Sequence, residues 1–189
     1  VGLAVALART ARAKALRALA AGYIALLQGI PLLMVIFLAY FGVSLFGVQI
    51  DPFAAATIAL TLYAAAFLGE IWRGCIEAVP RQQWEAASAL GIGRLAGFVY
   101  VIAPQAVRIA VPPTVGFLVQ LIKNTSLASI IGFVELSRAA QLVNNATFQP
   151  FTIFMVVAAL YFALCYQLSL LSRRLERRLN VGRRDLQSA

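Results

Sequence analysis

The sequence has no histidine, only two cysteines, and Asp, Glu, Lys or Arg at just 12% of its 189 positions. Without histidine, a histidine-based catalytic triad and the usual kinds of zinc site are excluded. No G-x-x-x-x-G-K-[ST] pattern occurs, so this chain has no Walker-type ATP site. Cys75 and Cys165 each lie in an apolar run, which favours buried thiols over a disulfide. We therefore expect no histidine-based catalysis, no zinc site and no ATP hydrolysis by this chain itself.

The shortage of charge accompanies an excess of apolar residues, which make up 62% of the chain. A soluble surface needs far more charge than this, so the composition indicates a membrane protein. Four apolar runs approach the ~20 residues that a helix needs to cross a bilayer. They cover about 18–41, 52–72, 105–122 and 150–171.

The positions of the cationic residues predict the topology. The opening VGLAVALA is too short to span and precedes basic residues, so we interpret it as the cytosolic end of a first span that begins before Val1. A signal peptide would carry its basic residues ahead of the apolar run. All but two of the 16 Lys and Arg residues fall between the first two spans, around the loop between the third and fourth, or after the last. The positive-inside rule places these regions in the cytosol, which predicts five spans and no role in binding nucleic acid.

The cytosolic loop between the third and fourth spans, about 74–104, predicts two short helices. The first covers about 82–90 and ends at Gly91, which suits a left-handed cap, with Gly93 making the turn sharp. The second covers about 94–103 and ends at Pro104. The apolar residues of the second helix fall on a single stripe, which should pack on the spans or on the membrane surface. That stripe consists of Leu95, Phe98, Val99 and Ile102.

Small side chains give the first loop helix a nearly smooth surface. One of its sides carries Trp84, Ala87 and Leu90, and another carries Glu85, Ala86 and Ala89. An alanine face lets a partner approach the backbone closely, and Glu85 near the helix start is well placed against the helix dipole. An amphipathic element lying on the membrane is the alternative interpretation.

Three blocks of sequence resemble the permease subunits of ABC importers, most closely the branch that imports polar amino acids. They read AVPRQQWEAASALG from Ala78, APQAVRIAVPP from Ala103 and KNTSLASIIGFVEL from Lys123. The resemblance extends from about Gly2 to Leu179, and three ordered blocks are more specific than a lone motif. The EAA pattern of that family is matched here by Glu85, Ala86, Ala87, Gly91, Ile102 and Pro104, with Ala103 where leucine is usual.

The resemblance implies that the first loop helix is a coupling helix, which sits in a groove on a cytosolic ATPase subunit. It implies a bacterial inner-membrane assembly of two permease subunits, identical or different, with two ATPase subunits and an external solute-binding protein. ATP and Mg would then be bound by the ATPase subunits, and this chain would hold no cofactor. The residues expected to make the coupling contact are Glu85, Ala86, Ala87, Ala89, Leu90 and Gly91.

The polar residues near the outer end of the fourth span have two interpretations. Gln120, Asn124, Thr125 and Ser126 could form a ledge that contacts the substrate, because transporters often build sites where helices break. Asn, Thr and Ser are also the usual caps of a helix end.

In the second span, Gln28 and Ile30 replace the arginine and threonine usual in the family. Gly29 and Pro31 remain, so we expect a local break there.

Two charged clusters remain. Glu70, Arg73 and Glu77 share one face at the cytosolic end of the third span, where we expect them to form a structural ladder of ion pairs. The basic tail is expected to anchor on lipid headgroups, with contact to the ATPase as a second interpretation. The tail cations are Arg173, Arg174, Arg177, Arg178, Arg183 and Arg184.

Taken together, these patterns predict an all-α membrane protein of about five spans, a single domain over 1–189 that includes the coupling loop. We expect the translocation pathway of an ATP-driven importer for polar amino acids. Because relatives that import cationic amino acids tend to have aspartate where this chain has Asn124, an acidic or neutral substrate such as glutamate or glutamine is favoured. The alternatives are a secondary transporter or channel driven by an ion gradient, which would need an ionisable relay in the membrane, and a receptor-like scaffold.

Overall fold

The chain folds into a set of helices in the computed structural model, which describes residues 1–11 and 13–184, with side chains as far as 176. The predicted all-α fold is confirmed, since no strand occurs in that part of the chain. Cys75 and Cys165 are free thiols, buried and half-buried. The helices are α1 (Gly2–Thr10), α2 (Lys14–Gly29), α3 (Leu32–Phe37), α4 (Pro52–Glu77), α5 (Arg81–Ala89), α6 (Arg94–Gly97), α7 (Ala103–Asn124), α8 (Leu136–Thr147) and α9 (Pro150–Arg184).

Three continuous helical stretches are long and apolar enough to cross a membrane within the described residues. They are Pro52–Glu77, Arg94–Ile131 and Pro150–Glu176, and α2 with α3 can form a fourth, broken span. The nine residues of α1 are too few to cross a membrane, so the described residues account for up to four of the five expected spans. Arg12 and the side chains of the basic tail beyond 176 lie outside what the structure describes. The lipid-anchor prediction for the tail stays a prediction.

The predicted second span, 18–41, is not a straight helix. Its two halves, α2 and α3, are bent by 105° at Ile30 and Pro31, as the residues Gly29 and Pro31 led us to expect. Ile30 has φ −107° and ψ 132°, the extended conformation that a following proline imposes on its predecessor. Five further residues, Leu38–Gly42, continue α3 as a π-helix.

Helix α4 lies at the centre and packs against α1, α2, α3 and α7. Asp51 caps its start by accepting hydrogen bonds from the backbone N–H groups of Phe53 (3.0 Å) and Ala54 (3.3 Å). Its buried side is made of small residues, which let neighbouring helices pack by close van der Waals contact, the main source of helix association in lipid. They are Ala55, Ala56, Ala59, Ala64, Ala65, Ala66 and Gly69.

The prediction that the second loop helix ends at Pro104 is wrong. The helix that starts at Arg94 runs through a π-helical turn, Phe98–Ile102, directly into α7, with Pro104 in its first turn. A wider turn just ahead of the proline removes the need for the hydrogen bond that proline cannot donate. The loop outside the long helices is therefore confined to 78–93.

The same π-turn splits the predicted apolar stripe. Ile102 is fully buried and Phe98 packs against its cluster, whereas Leu95 and Val99 are 78% and 47% exposed. A change from α- to π-helical winding rotates the residues that follow, so a 3.6-residue stripe does not stay on one face. Only half of the stripe therefore packs on the protein's own helices.

Cysteine labelling can test the orientation. A cysteine in place of Gln49, in the segment before α4, should react with a membrane-impermeant reagent from outside. One in place of Gln82, at the start of α5, should react only when the cytosolic side is opened, because α4 separates the two positions by a full span. Labelling of both positions from the same side of intact cells would contradict this topology.

Candidate functional site

Helix α5 in the cytosolic loop is held in place from one side. Trp84 stacks on Phe98 with ring centroids 6.2 Å apart, and both rings pack against buried Ile76 and Ile102. The Gln105 side-chain amide also donates to Oε1 of Gln83, at 3.2 Å. These contacts join α5 to the C-terminal end of α4 and to the start of the α7 span.

The end of α5 has the geometry of a Schellman motif. The backbone N–H of Ile92 donates to the carbonyl of Ala87 and that of Gly91 to the carbonyl of Ser88, both at 3.0 Å. Gly91 has φ +70°, which confirms the predicted left-handed cap. Gly93 differs from expectation, because its φ of −59° is open to any residue and it serves as the N-cap of α6.

Most of the predicted coupling residues lie on the face of α5 that points away from the protein. Glu85, Ala86 and Ala89 are exposed, and Leu90 at the flank is 78% exposed rather than packed beside Trp84. Ala87 is the exception: it is 6% exposed, and its Cβ lies where a side chain at Gly97 would meet it, at 3.6 Å. Ala87 therefore lies on the inner side of α5, where the EAA pattern provides a small residue that packs against Gly97.

The predicted substrate residues gather where α7 ends and a 3-10 helix, Thr125–Ile131, begins. The Thr125 hydroxyl donates to the carbonyl of Ile122 and the Ser126 hydroxyl to that of Lys123, both at 2.7 Å. These two hydroxyls thus act as caps of the helix end. Gln120 donates its side-chain amide to Oδ1 of Asn124 at 3.1 Å, so the two amides form a pair at the end of α7.

Glu135 is the N-cap of α8, the helix that follows and contacts the 3-10 helix of these residues. Its carboxylate caps α8 by accepting from the backbone N–H groups of Ser137 (2.9 Å) and Arg138 (2.7 Å). It also accepts from the hydroxyl of Tyr161 on α9, at 3.1 Å. Three donors satisfy this carboxylate, and no pattern in the sequence could reveal that α9 supplies one of them.

The predicted ladder at the cytosolic end of α4 is present and larger than expected. Nε of Arg73 donates to both carboxylate oxygens of Glu70, at 3.0 Å each, and Arg73 also bonds Glu77. From α1, Nε of Arg9 lies 3.9 Å from Glu70. The sequence offered no sign of this fourth member, since Arg9 was assigned to the basic segment after the first span.

These features define a helical, multi-pass membrane protein that presents a rigidly mounted short helix at one end. Within the described residues there is no group of His, Cys, Asp or Glu that could hold a metal ion.

The family described as "Binding-protein-dependent transport system inner membrane component" matches residues 1–181, and the chain belongs to this family. It is 38% identical to "Probable amino-acid ABC transporter permease protein YckA" of Bacillus subtilis, over 87% of this chain and 73% of that protein. It is 36% identical to "Probable glutamine ABC transporter permease protein GlnM" of the same organism, over 95% and 83%.

A solved structure has the same fold. The structure titled "Crystal structure of an amino acid ABC transporter with histidines" superposes with a TM-score of 0.89 and 34% identity, over 94% of this chain and 83% of that one. The chain is accordingly a permease of the amino-acid ABC transporter type, a multi-pass protein of the bacterial inner membrane. It is a membrane subunit of a transporter and not a catalytic enzyme.

Proposed function

We propose that this chain forms the translocation pathway of an ATP-driven importer for polar amino acids, and that α5 couples it to ATPase subunits. The observation that carries the coupling proposal is the mounting of α5. Its inner side, with Trp84 and Ala87, is fixed to two spans, while Glu85, Ala86 and Ala89 face outward with little relief. A helix attached in this way passes a displacement of its partner directly to α4 and α7.

The proposal includes partners that this chain needs because it has no ATP site of its own. They are two ATPase subunits, which bind ATP and Mg, a second permease subunit and an external solute-binding protein. Contact with α5 would involve Glu85, Ala86, Ala89 and Leu90 on the exposed side, with Gly91 ending the helix. Ala87 contributes from the buried side by permitting the tight cap.

For the substrate, we propose an acidic or neutral polar amino acid of the glutamate or glutamine type. The support is the neutral amide pair of Gln120 and Asn124 at the end of α7, which offers no negative charge to a cationic side chain. Glu135 keeps its negative charge, but its carboxylate is directed at the start of α8 and at Tyr161 rather than at the amide pair. Relatives of similar identity are named for glutamine, cystine and arginine transport, so family membership alone leaves the substrate open.

Reconstituted vesicles test the proposal. The complete assembly should take up amino acid only when ATP is supplied on the cytosolic side and the solute-binding protein on the other. Uptake that follows a proton or sodium gradient without ATP would establish the alternative, a secondary transporter. Binding without uptake under any condition would establish the scaffold.

Competition tests the substrate class in the same vesicles. Uptake of labelled glutamine should be inhibited by unlabelled glutamate or glutamine and little by arginine, lysine or histidine. Replacing Asn124 with aspartate should shift this preference toward the cations, because a carboxylate attracts a positive side chain in a low-dielectric pathway. Inhibition of the unaltered protein by arginine or lysine alone would contradict the role given to Asn124.

A further inference from the structure

Helix α1 is held unusually close to α4 next to the ladder. A Cβ added at Gly2 would lie 2.8 Å from Cβ of Leu68, and one added at Gly69 would lie 2.7 Å from a methyl group of Val5. This contact places Arg9, which lies in the last turn of α1, beside the α4 carboxylates. Its side chain is 24% exposed, and Nε is 3.9 Å from Oε2 of Glu70.

Arg9 has an incomplete set of contacts in this position. Its Nε is buried and finds no hydrogen-bond partner among the described residues. Such groups are rare in proteins, and each needs an explanation. The carboxylate that it approaches, Glu70, is engaged on both oxygens by Arg73. Two arginines therefore approach one carboxylate, and only one of them is bonded.

Arg73 has a second carboxylate within reach. It already bonds Glu77, the last residue of α4, and three residues lie between Glu77 and the start of α5. Val79 and Ile76, on either side of Glu77, pack in the cluster that holds Trp84 of α5. A displacement of α5 thus acts first on the turn of α4 that carries Glu77.

We propose that Arg9 and Arg73 exchange places on Glu70 during transport, and that this exchange links the movement of α5 to α1. In the arrangement seen here, Arg73 occupies Glu70. When α5 moves, Glu77 draws Arg73 away, and Arg9 forms the hydrogen bond to Glu70 that it lacks. The inference rests on the proposed coupling function of α5, and it makes Arg9 a positioning residue that touches neither substrate nor partner.

The test compares uptake per ATP hydrolysed in vesicles for Arg9→Gln, Glu77→Gln and the double variant. Each single change holds Arg73 on Glu70, so each should lower the ratio about five- to tenfold, within the range of typical coupling between sites. The double variant should be no worse than the more impaired single one, because both changes block the same step. Arg9→Lys should keep most of the coupling, since it keeps the charge, and Arg17→Gln, an exposed cation on α2, is the matched control.

Losses that multiply in the double variant would show independent structural contacts and overturn the exchange. Normal coupling in Arg9→Gln would do the same, as would an Arg9→Lys variant as impaired as Arg9→Gln or an equal loss in Arg17→Gln. The Glu85→Lys variant separates this inference from the proposed function. If Glu85→Lys uncouples the complex and Arg9→Gln does not, coupling through α5 stands and only the exchange fails.

Discussion

Replacing Glu85 with lysine is expected to leave the protein folded and inserted, while ATP is hydrolysed without uptake. Glu85 is exposed on the outward face of α5, so the change costs no internal contact of this chain. We propose that Glu85 attracts a basic residue in the groove of the ATPase, and a lysine in its place would repel that residue. Because like charges across an interface cost several kcal/mol, uptake per ATP should fall at least about tenfold.

The control for this variant is Gln49→Lys, which adds a lysine at an exposed position before α4, a full span away from α5. It should transport normally, and the ratio of uptake to hydrolysis in vesicles is the measurement for both variants.

A second pair of variants tests the cap of α5. Gly91→Val forces a branched residue to φ +70° and should also impair coupling, whereas Gly93→Val, at φ −59°, should not. Normal transport by Glu85→Lys and Gly91→Val would contradict the coupling role of this helix.

Replacing Gly69 with leucine is expected to separate α1 from α4 and to destabilise the protein. Even a Cβ at this position would lie 2.7 and 2.9 Å from the Val5 side chain, closer than carbon atoms approach without displacement. Overpacking of this kind costs about 1–3 kcal/mol, so thermal inactivation in detergent should begin several degrees lower. Gly74→Leu is the matched control on the same helix, because nothing lies within 4 Å of a Cβ there.

Size-exclusion chromatography after heating measures the fraction of each variant that stays monodisperse. Equal curves for Gly69→Leu and Gly74→Leu would mean that the close approach of α1 to α4 does not stabilise the protein. The comparison also bears on the ion cluster, since a displaced α1 would carry Arg9 away from Glu70.

Local rules predicted several features correctly because their causes are local. Pro31 forces its neighbour Ile30 out of the helical region whatever surrounds it, so the break in the second span could be foreseen. Gly91 follows an alanine-rich helix at the place where a left-handed residue closes a Schellman motif. The ladder of Glu70, Arg73 and Glu77 follows from helical spacing alone.

The failures at 94–104 have one cause. Pro104 usually ends a helix, and the stripe from Leu95 to Ile102 assumed α-helical winding. The π-turn at Phe98–Ile102 overrides both, because packing of Ile102 and Phe98 against α4 and α5 stabilises a continuous helix through the proline. Periodicity alone does not distinguish this winding from a regular α-helix.

Composition, charge placement and local turn chemistry, all properties of the sequence by itself, determined that this is a multi-pass helical membrane protein with a short capped helix between its spans. They predict that this helix lies on the cytosolic side. These features depend only on the lipid environment and on residues within about one helical turn of one another. Only the tertiary structure decided that Ala87 faces inward, that Tyr161 completes the bonding of Glu135, and that Arg9 stands beside Glu70. The last two pair residues far apart in the chain, and which helices meet is set by the shapes of whole packed faces, which no single stretch of sequence contains.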